Sequence, residues 1–81
     1  MCGISGAITQ ISDDAGFALV QKIVESQKAR GPDFSKSEEI AARTMRLALG
    51  HNRLSILDLS SAAHQPMWYP ERRLCLVFNG E

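Results

Sequence analysis

CGISGAITQI, residues 2–11, reads as a β-strand built for close contact: Ile4, Ala7, Ile8, Thr9 and Ile11 supply strand-forming side chains, while Gly3 and Gly6 leave room for another backbone. The strand opens at Cys2, which becomes the terminal residue once Met1 is removed. Aminopeptidases remove an initiator methionine when the next side chain is small. Processing leaves a thiol and a free α-amine on one residue. With reference pKa values of about 7.7–8.0 for the amine and about 8.5 for the thiol, a neutral fraction of the amine accepts the thiol proton near neutral pH. Cys2 is therefore a candidate nucleophile that carries its own base. The competing reading is a small apolar residue at the start of a buried strand, since free cysteines are commonly inert.

Outward from this strand, Ser12, Asp13 and Asp14 offer oxygens that cap a helix. Leu19, Val20, Ile23, Val24 and Gln27 recur at helical spacing opposite Gln21, Lys22, Glu25, Ser26 and Lys28. This predicts an amphipathic helix of about four turns that ends near Arg30, stopped by Gly31 and Pro32. Residues 33–39 are polar and read as a connection. A second strand region spans residues 43–57 with Met45, Leu47, Leu49, Leu54 and Ile56, and Gly50 marks a bend or bulge in it. Residues 58–69 read as a loop.

In residues 74–81, Leu74, Leu76 and Phe78 alternate with Cys75, Val77 and Asn79, which makes both faces apolar until the end. That predicts a strand covered on two sides, by another sheet and by a helical layer. Period two places the Asn79 and Glu81 side chains on one face and leaves the Gly80 amide open between them. An amide donor, a bare N–H and a carboxylate at one strand end suit an oxyanion hole beside an ammonium site. The same Asn-Gly pair equally suits a hairpin turn, with Glu81 starting the next strand.

At 81 residues the chain, residues 1–81, is one small domain at most. Nine basic and nine acidic residues cancel, so no net field draws it to nucleic acid or an anionic membrane. No apolar run approaches the roughly 20 residues that span a bilayer. The start lacks the basic and long apolar regions of a secretory signal, so the expected location is cytoplasmic. Cys2 and Cys75 form no paired metal-ligand spacing and are too few to staple a fold, so both are expected as reduced thiols with no metal.

Five motifs then combine: Cys2-Gly3-Ile4, Arg30-Gly31-Pro32-Asp33, Gly50-His51-Asn52-Arg53-Leu54-Ser55-Ile56, Gln65-Pro66-Met67 and Phe78-Asn79-Gly80-Glu81. In order and spacing they resemble the class II glutamine amidotransferase domain of glutamine-hydrolysing asparagine synthetases. The first motif is shared with amidotransferases of purine, glucosamine and glutamate synthesis. The Arg-Gly-Pro-Asp and Gln-Pro-Met motifs point to the asparagine synthetase branch. The resemblance implies an α+β fold, the N-terminal-nucleophile αββα sandwich, here incomplete. It implies that Cys2 attacks the glutamine carboxamide, forming a thioester and releasing ammonia, with its α-amine moving the proton. Asn79 and Gly80 correspond to the oxyanion donors, Arg53 to the holder of the substrate α-carboxylate, and Glu81 to the binder of the α-ammonium. Arg30 falls near the nucleophile as a further substrate-binding candidate; a helix-ending arginine in solvent is the plain alternative.

The remaining motif residues read as structural. His51 and His64 have no part in the family's chemistry, Asp33 and Asp58 cap turns, Trp68 and Tyr69 pack, and Cys75 is an inert core thiol. Asn52 departs from the family, which often has a second arginine there.

The family's domain continues past the Asn-Gly-Glu motif into further strands, another ammonium-binding aspartate and an ATP-dependent synthetase domain. On that comparison the chain reads as an amino-terminal piece. It needs no cofactor of its own, ATP and magnesium belong to the downstream synthetase domain, and the partners are glutamine, that domain and, as one open assembly, a homodimer of the parent. The expected activity of the parent is glutamine hydrolysis feeding amidation of aspartate. Two alternatives stay open: amidation of another carboxylate, or a non-catalytic interaction or regulatory fragment. The isolated 81-residue polypeptide is expected to release no ammonia from glutamine and to be poorly folded or self-associated through its 74–78 strand. A coupled ammonia assay and sedimentation check this, and a monodisperse monomer with glutamine turnover would overturn it.

Overall fold

A computed structural model describes residues 2–55, 63–69, 71 and 74–79. Strand β1, Gly3–Gln10, leads through a turn into helix α1, Ala15–Ser26. Strands β2, Phe34–Ala41, and β3, Met45–Arg53, follow, and then the short strands β4, Met67–Tyr69, and β5, Leu74–Leu76. The sheet order is β1-β3-β2, with β3 antiparallel to both neighbours, and β4 pairs antiparallel with β5. Mixed helix and antiparallel sheet is thus the architecture of the described residues. Met1, residues 56–62, Gly80 and Glu81 lie outside them, and with them the expected roles of Asp58, Gly80 and Glu81 and the removal of Met1.

The helix starts where Asp13 Oδ1 accepts the Ala15 N–H at 2.9 Å; of the three expected capping residues, this carboxylate is the one that meets a helix amide. Thr9 tightens the approach by donating its hydroxyl to the Asp13 carbonyl at 2.7 Å. Gly16, Val20 and Val24, four residues apart, form the buried stripe. Leu19 is exposed instead, because the contact with the sheet is narrower than the apolar face the sequence offers. The regular helix stops at Ser26, and residues 27–30 continue as turns, with the Arg30 and Gly31 amides both donating to the Gln27 carbonyl.

Period two splits the central strand. Ala48, Gly50 and Asn52 face α1, while Leu47, Leu49, His51 and Arg53 face the other side. Val20, Val24 and Ala48, with Ala7 and Phe17 against them, make the core. Ile4, Ile8 and Met45, on the side away from the helix, stay exposed.

Several expectations change, among them residues 67–69, which pair as β4 instead of ending a loop. Residues 34–41 form a full edge strand rather than a connection, pairing with β3 from Phe34↔Arg53 to Ala41↔Arg46. An edge strand needs only one ladder and tolerates polar residues on both faces, so FSKSEEIA carries little apolar signal. Leu74, at 66 % exposure, together with Leu76 and Phe78 stands open rather than covered, since β4 is the one described strand paired with β5. Tyr69 is likewise exposed, although Trp68 beside it is half-buried.

Gly50 neither bends nor bulges the strand; the register runs through it as Ser5↔Gly50↔Ser37. Its role is clearance. A Cβ there would stand 2.5 Å from Ser5 Oγ, 2.5 Å from Val24 Cγ2 and 2.9 Å from Val20 Cγ1. Gly50→Ala is therefore expected to destabilise the protein by about 1–3 kcal/mol, seen as a lower denaturant midpoint at unchanged slope. An unchanged midpoint would show that α1 can lift from the sheet without loss.

Candidate active site

Cys2 sits immediately before β1 and is 6 % exposed. Its position is held from two directions. The Leu54 amide donates to Cys2 Sγ at 3.5 Å, and the thiol faces the Leu54 carbonyl at 3.9 Å. Arg30 Nε donates to the Cys2 carbonyl at 3.2 Å. Arg30, though exposed, is thus more than a helix-ending cation in solvent.

The turn that carries Arg30 docks on the end of β3. Pro32 forms a bridge with Arg53, the Asp33 amide donates to the Arg53 carbonyl at 2.9 Å, and Asp33 Oδ2 accepts the Ser55 amide at 2.7 Å. Asp33 therefore fastens one segment to another rather than capping its own turn. Gly31 allows the two backbones to touch: a Cβ on it would stand 2.4 Å from the Asn52 carbonyl carbon and 2.7 Å from the Arg53 nitrogen. The Arg-Gly-Pro-Asp and His-Asn-Arg-Leu-Ser motifs, some 20 residues apart in the chain, become one wall around Cys2.

Three consecutive residues at the end of β3 are buried and polar, and alternation sends them to different partners. Asn52 Nδ2 donates to the Val24 carbonyl at 2.8 Å and to Ser35 Oγ at 3.0 Å, tying helix and edge strand to the centre. His51 Nε2 lies 3.0 Å from the Phe78 carbonyl on the opposite face. Arg53 shares that face, is 5 % exposed, and is followed at once by Leu54, whose peptide meets the thiol. Across the ladder, Phe34 pairs with Arg53 and stacks on His64, ring centroids 3.6 Å apart and 7° from parallel.

The structure thus joins Cys2, Arg30 and the Arg53–Leu54 peptide in one place. Asn79 follows Phe78 and is exposed, beyond the end of β5. Its anchor is the Phe78 peptide, whose amide donates to Gln65 Oε1. Sequence reasoning missed the Leu54 peptide as the partner of the thiol and the side-chain roles of Gln65 and His51. The motif spacing marked these residues without saying what they would touch. Among the described residues no cluster of His, Cys, Asp and Glu could hold a metal ion, and no helix is long and apolar enough to cross a membrane.

Comparison with known proteins gives two findings. Residues 1–81 match the family described as "Glutamine amidotransferase domain". A Methanocaldococcus jannaschii protein, named provisionally as a glutamine-hydrolyzing asparagine synthetase, is 39 % identical over 69 residues, which is 85 % of this chain and 13 % of that relative. The chain therefore corresponds to a small part of the relative's length. No solved structure matches.

The electrostatics of His51 make the wall sensitive to acid. Burial pushes its pKa below the ordinary 6.5; the bond to the Phe78 carbonyl opposes the shift, and the Arg53 charge adds to it. The folded state thus binds this proton less readily than the unfolded chain. Stability from this group is complete above the unfolded value and is lost as pH falls below it. Between about pH 7.5 and pH 5.5 the wild type is expected to lose unfolding free energy relative to His51→Gln. Parallel stability curves in that window would show that His51 is not the group responsible.

Proposed function

This chain belongs to the glutamine amidotransferase domain family, and on that premise we propose that it carries the nucleophile side of a glutaminase site. The observation that carries this reading is the Cys2 thiol at the second position of the chain, buried against the Leu54 peptide, with Arg30 on its own carbonyl and Arg53 next along the wall. After removal of Met1, the α-amine of Cys2 takes the thiol proton, and the thiolate adds to the glutamine carboxamide carbon. The proton then passes from the amine to the leaving nitrogen, ammonia departs, and water resolves the thioester to glutamate. Asn79, through its side-chain amide, and Gly80, through its backbone N–H, stabilise the oxyanion, where loss of one donor typically costs about a hundredfold or more in rate.

Arg53 binds the substrate α-carboxylate, for which a buried planar guanidinium has the matching fork geometry. Glu81 binds the α-ammonium. For Arg30, the observed bond to the Cys2 carbonyl favours orientation of the nucleophile over direct contact with substrate. The sheet belongs to an N-terminal-nucleophile αββα sandwich, in which a second sheet covers Ile4, Ile8 and Met45. The ammonia serves an ATP- and magnesium-dependent amidation of aspartate by another part of the protein, located in the cytoplasm. The name of the archaeal relative supports that acceptor.

In the full-length protein, Cys2→Ala is expected to abolish ammonia release from glutamine while sparing synthesis from free ammonia, and mass spectrometry is expected to show Met1 absent. Loss of both activities would indicate a folding role for Cys2 instead. Arg53→Ala is expected mainly to raise KM for glutamine, and Asn79→Ala mainly to lower kcat. The reverse pattern would exchange or remove the two assignments.

A further inference from the structure

Two side chains that this chemistry does not use meet at one peptide unit. His51, wholly buried in β3, has Nε2 3.0 Å from the Phe78 carbonyl oxygen. A carbonyl only accepts, so Nε2 carries the hydrogen and donates. On the other side of the same residue, the Phe78 amide donates to Gln65 Oε1. Phe78 lies two residues past the end of β5, so no ladder of that strand fixes it. Both its backbone groups are instead held by side chains, from positions 27 and 13 residues earlier in the chain. The next residue is Asn79.

We infer that His51 and Gln65 are positioning residues that clamp the Phe78 peptide and thereby set where the Asn79 side-chain amide stands relative to Cys2. The inference rests on the oxyanion role proposed for Asn79. Oxyanion donors contribute to rate only when they are already in place as charge develops, and an exposed side chain just beyond a strand end has no order of its own. The clamp supplies that order from a rigid source. His51 and Arg53 are two positions apart on β3 and share a face, so the same strand that presents the carboxylate-binding arginine also holds the oxyanion segment. One rigid element thus spaces the groups meant for the two ends of glutamine. Neither clamp residue touches the reacting atoms in this scheme; each acts through Phe78.

The test is steady-state glutamine hydrolysis by the full-length protein, with His51→Leu and Gln65→Leu removing the two bonds. His51→Gln keeps an N–H donor of similar reach, and Gln65→Glu keeps an acceptor oxygen. The leucine variants are expected to lose on the order of tenfold or more in kcat, with KM changed by less than about twofold, while the glutamine and glutamate variants recover most of the turnover. Hydrogen exchange at the Phe78 amide, which reads the clamp without any assay of activity, is expected to quicken in Gln65→Leu. If His51→Leu does not fold, Gln65→Leu and its exchange rate decide alone. Unchanged kcat in the leucine variants, a change confined to KM, or equal losses in the conservative pair would overturn the clamp. Asn79→Ala, measured alongside, separates the two readings. If it lowers kcat while the leucine variants do not, the clamp fails and the glutaminase reading stands; if it leaves kcat untouched, the oxyanion role fails and the clamp's catalytic purpose falls with it.

Discussion

The contact on which the site depends is the approach of two backbones at Gly31. With a would-be Cβ 2.5 Å from the Asn52 carbonyl oxygen, no other residue fits without moving the main chain of the central strand. That contact seats the turn after α1 on the end of β3. From there Arg30 reaches the Cys2 carbonyl, and Asp33 reaches both the Arg53 carbonyl and the Ser55 amide. A turn displaced by the width of one methyl group would separate all three. The glycine is needed here for space and not for conformation, because no described glycine has a positive φ.

Strand β3 distributes the consequences. Its Ala48 and Gly50 let the helix settle close to the sheet, and Asn52 fixes that distance by bonding the last turn of α1 and the edge strand together. Its other face carries His51 and Arg53 toward the segments that follow. Burying three polar side chains in succession is unfavourable unless each is engaged, and each unmet group costs about 1–3 kcal/mol. Among the described residues, Ser5 Oγ, Gln27 Oε1, His51 Nδ1 and Asn52 Oδ1 have no hydrogen-bond partner in this region. A sheet designed for stability alone would not concentrate polar groups so close to Cys2, whereas one that orients a thiol and a guanidinium has reason to.

The sequence by itself determined the elements whose signals are local. The stripe of Val20 and Val24 placed the helix, the strand-forming run after Cys2 placed β1, and the five motifs identified the family and the candidate residues. It left β2 unseen, because an edge strand draws its order from hydrogen bonds to β3 and not from apolar side chains. It read Gly50 as a bend, because a sequence records that a side chain is missing but not which neighbour requires the space. Tertiary structure alone decided that Arg30 would bond the Cys2 carbonyl, that the Leu54 peptide would meet the thiol, and that His51 and Gln65 would hold the two sides of Phe78. Those contacts join residues 13 to 52 positions apart. Residues so far apart in the chain meet only when the helix and sheet have packed, so no local pattern of residues can encode their geometry.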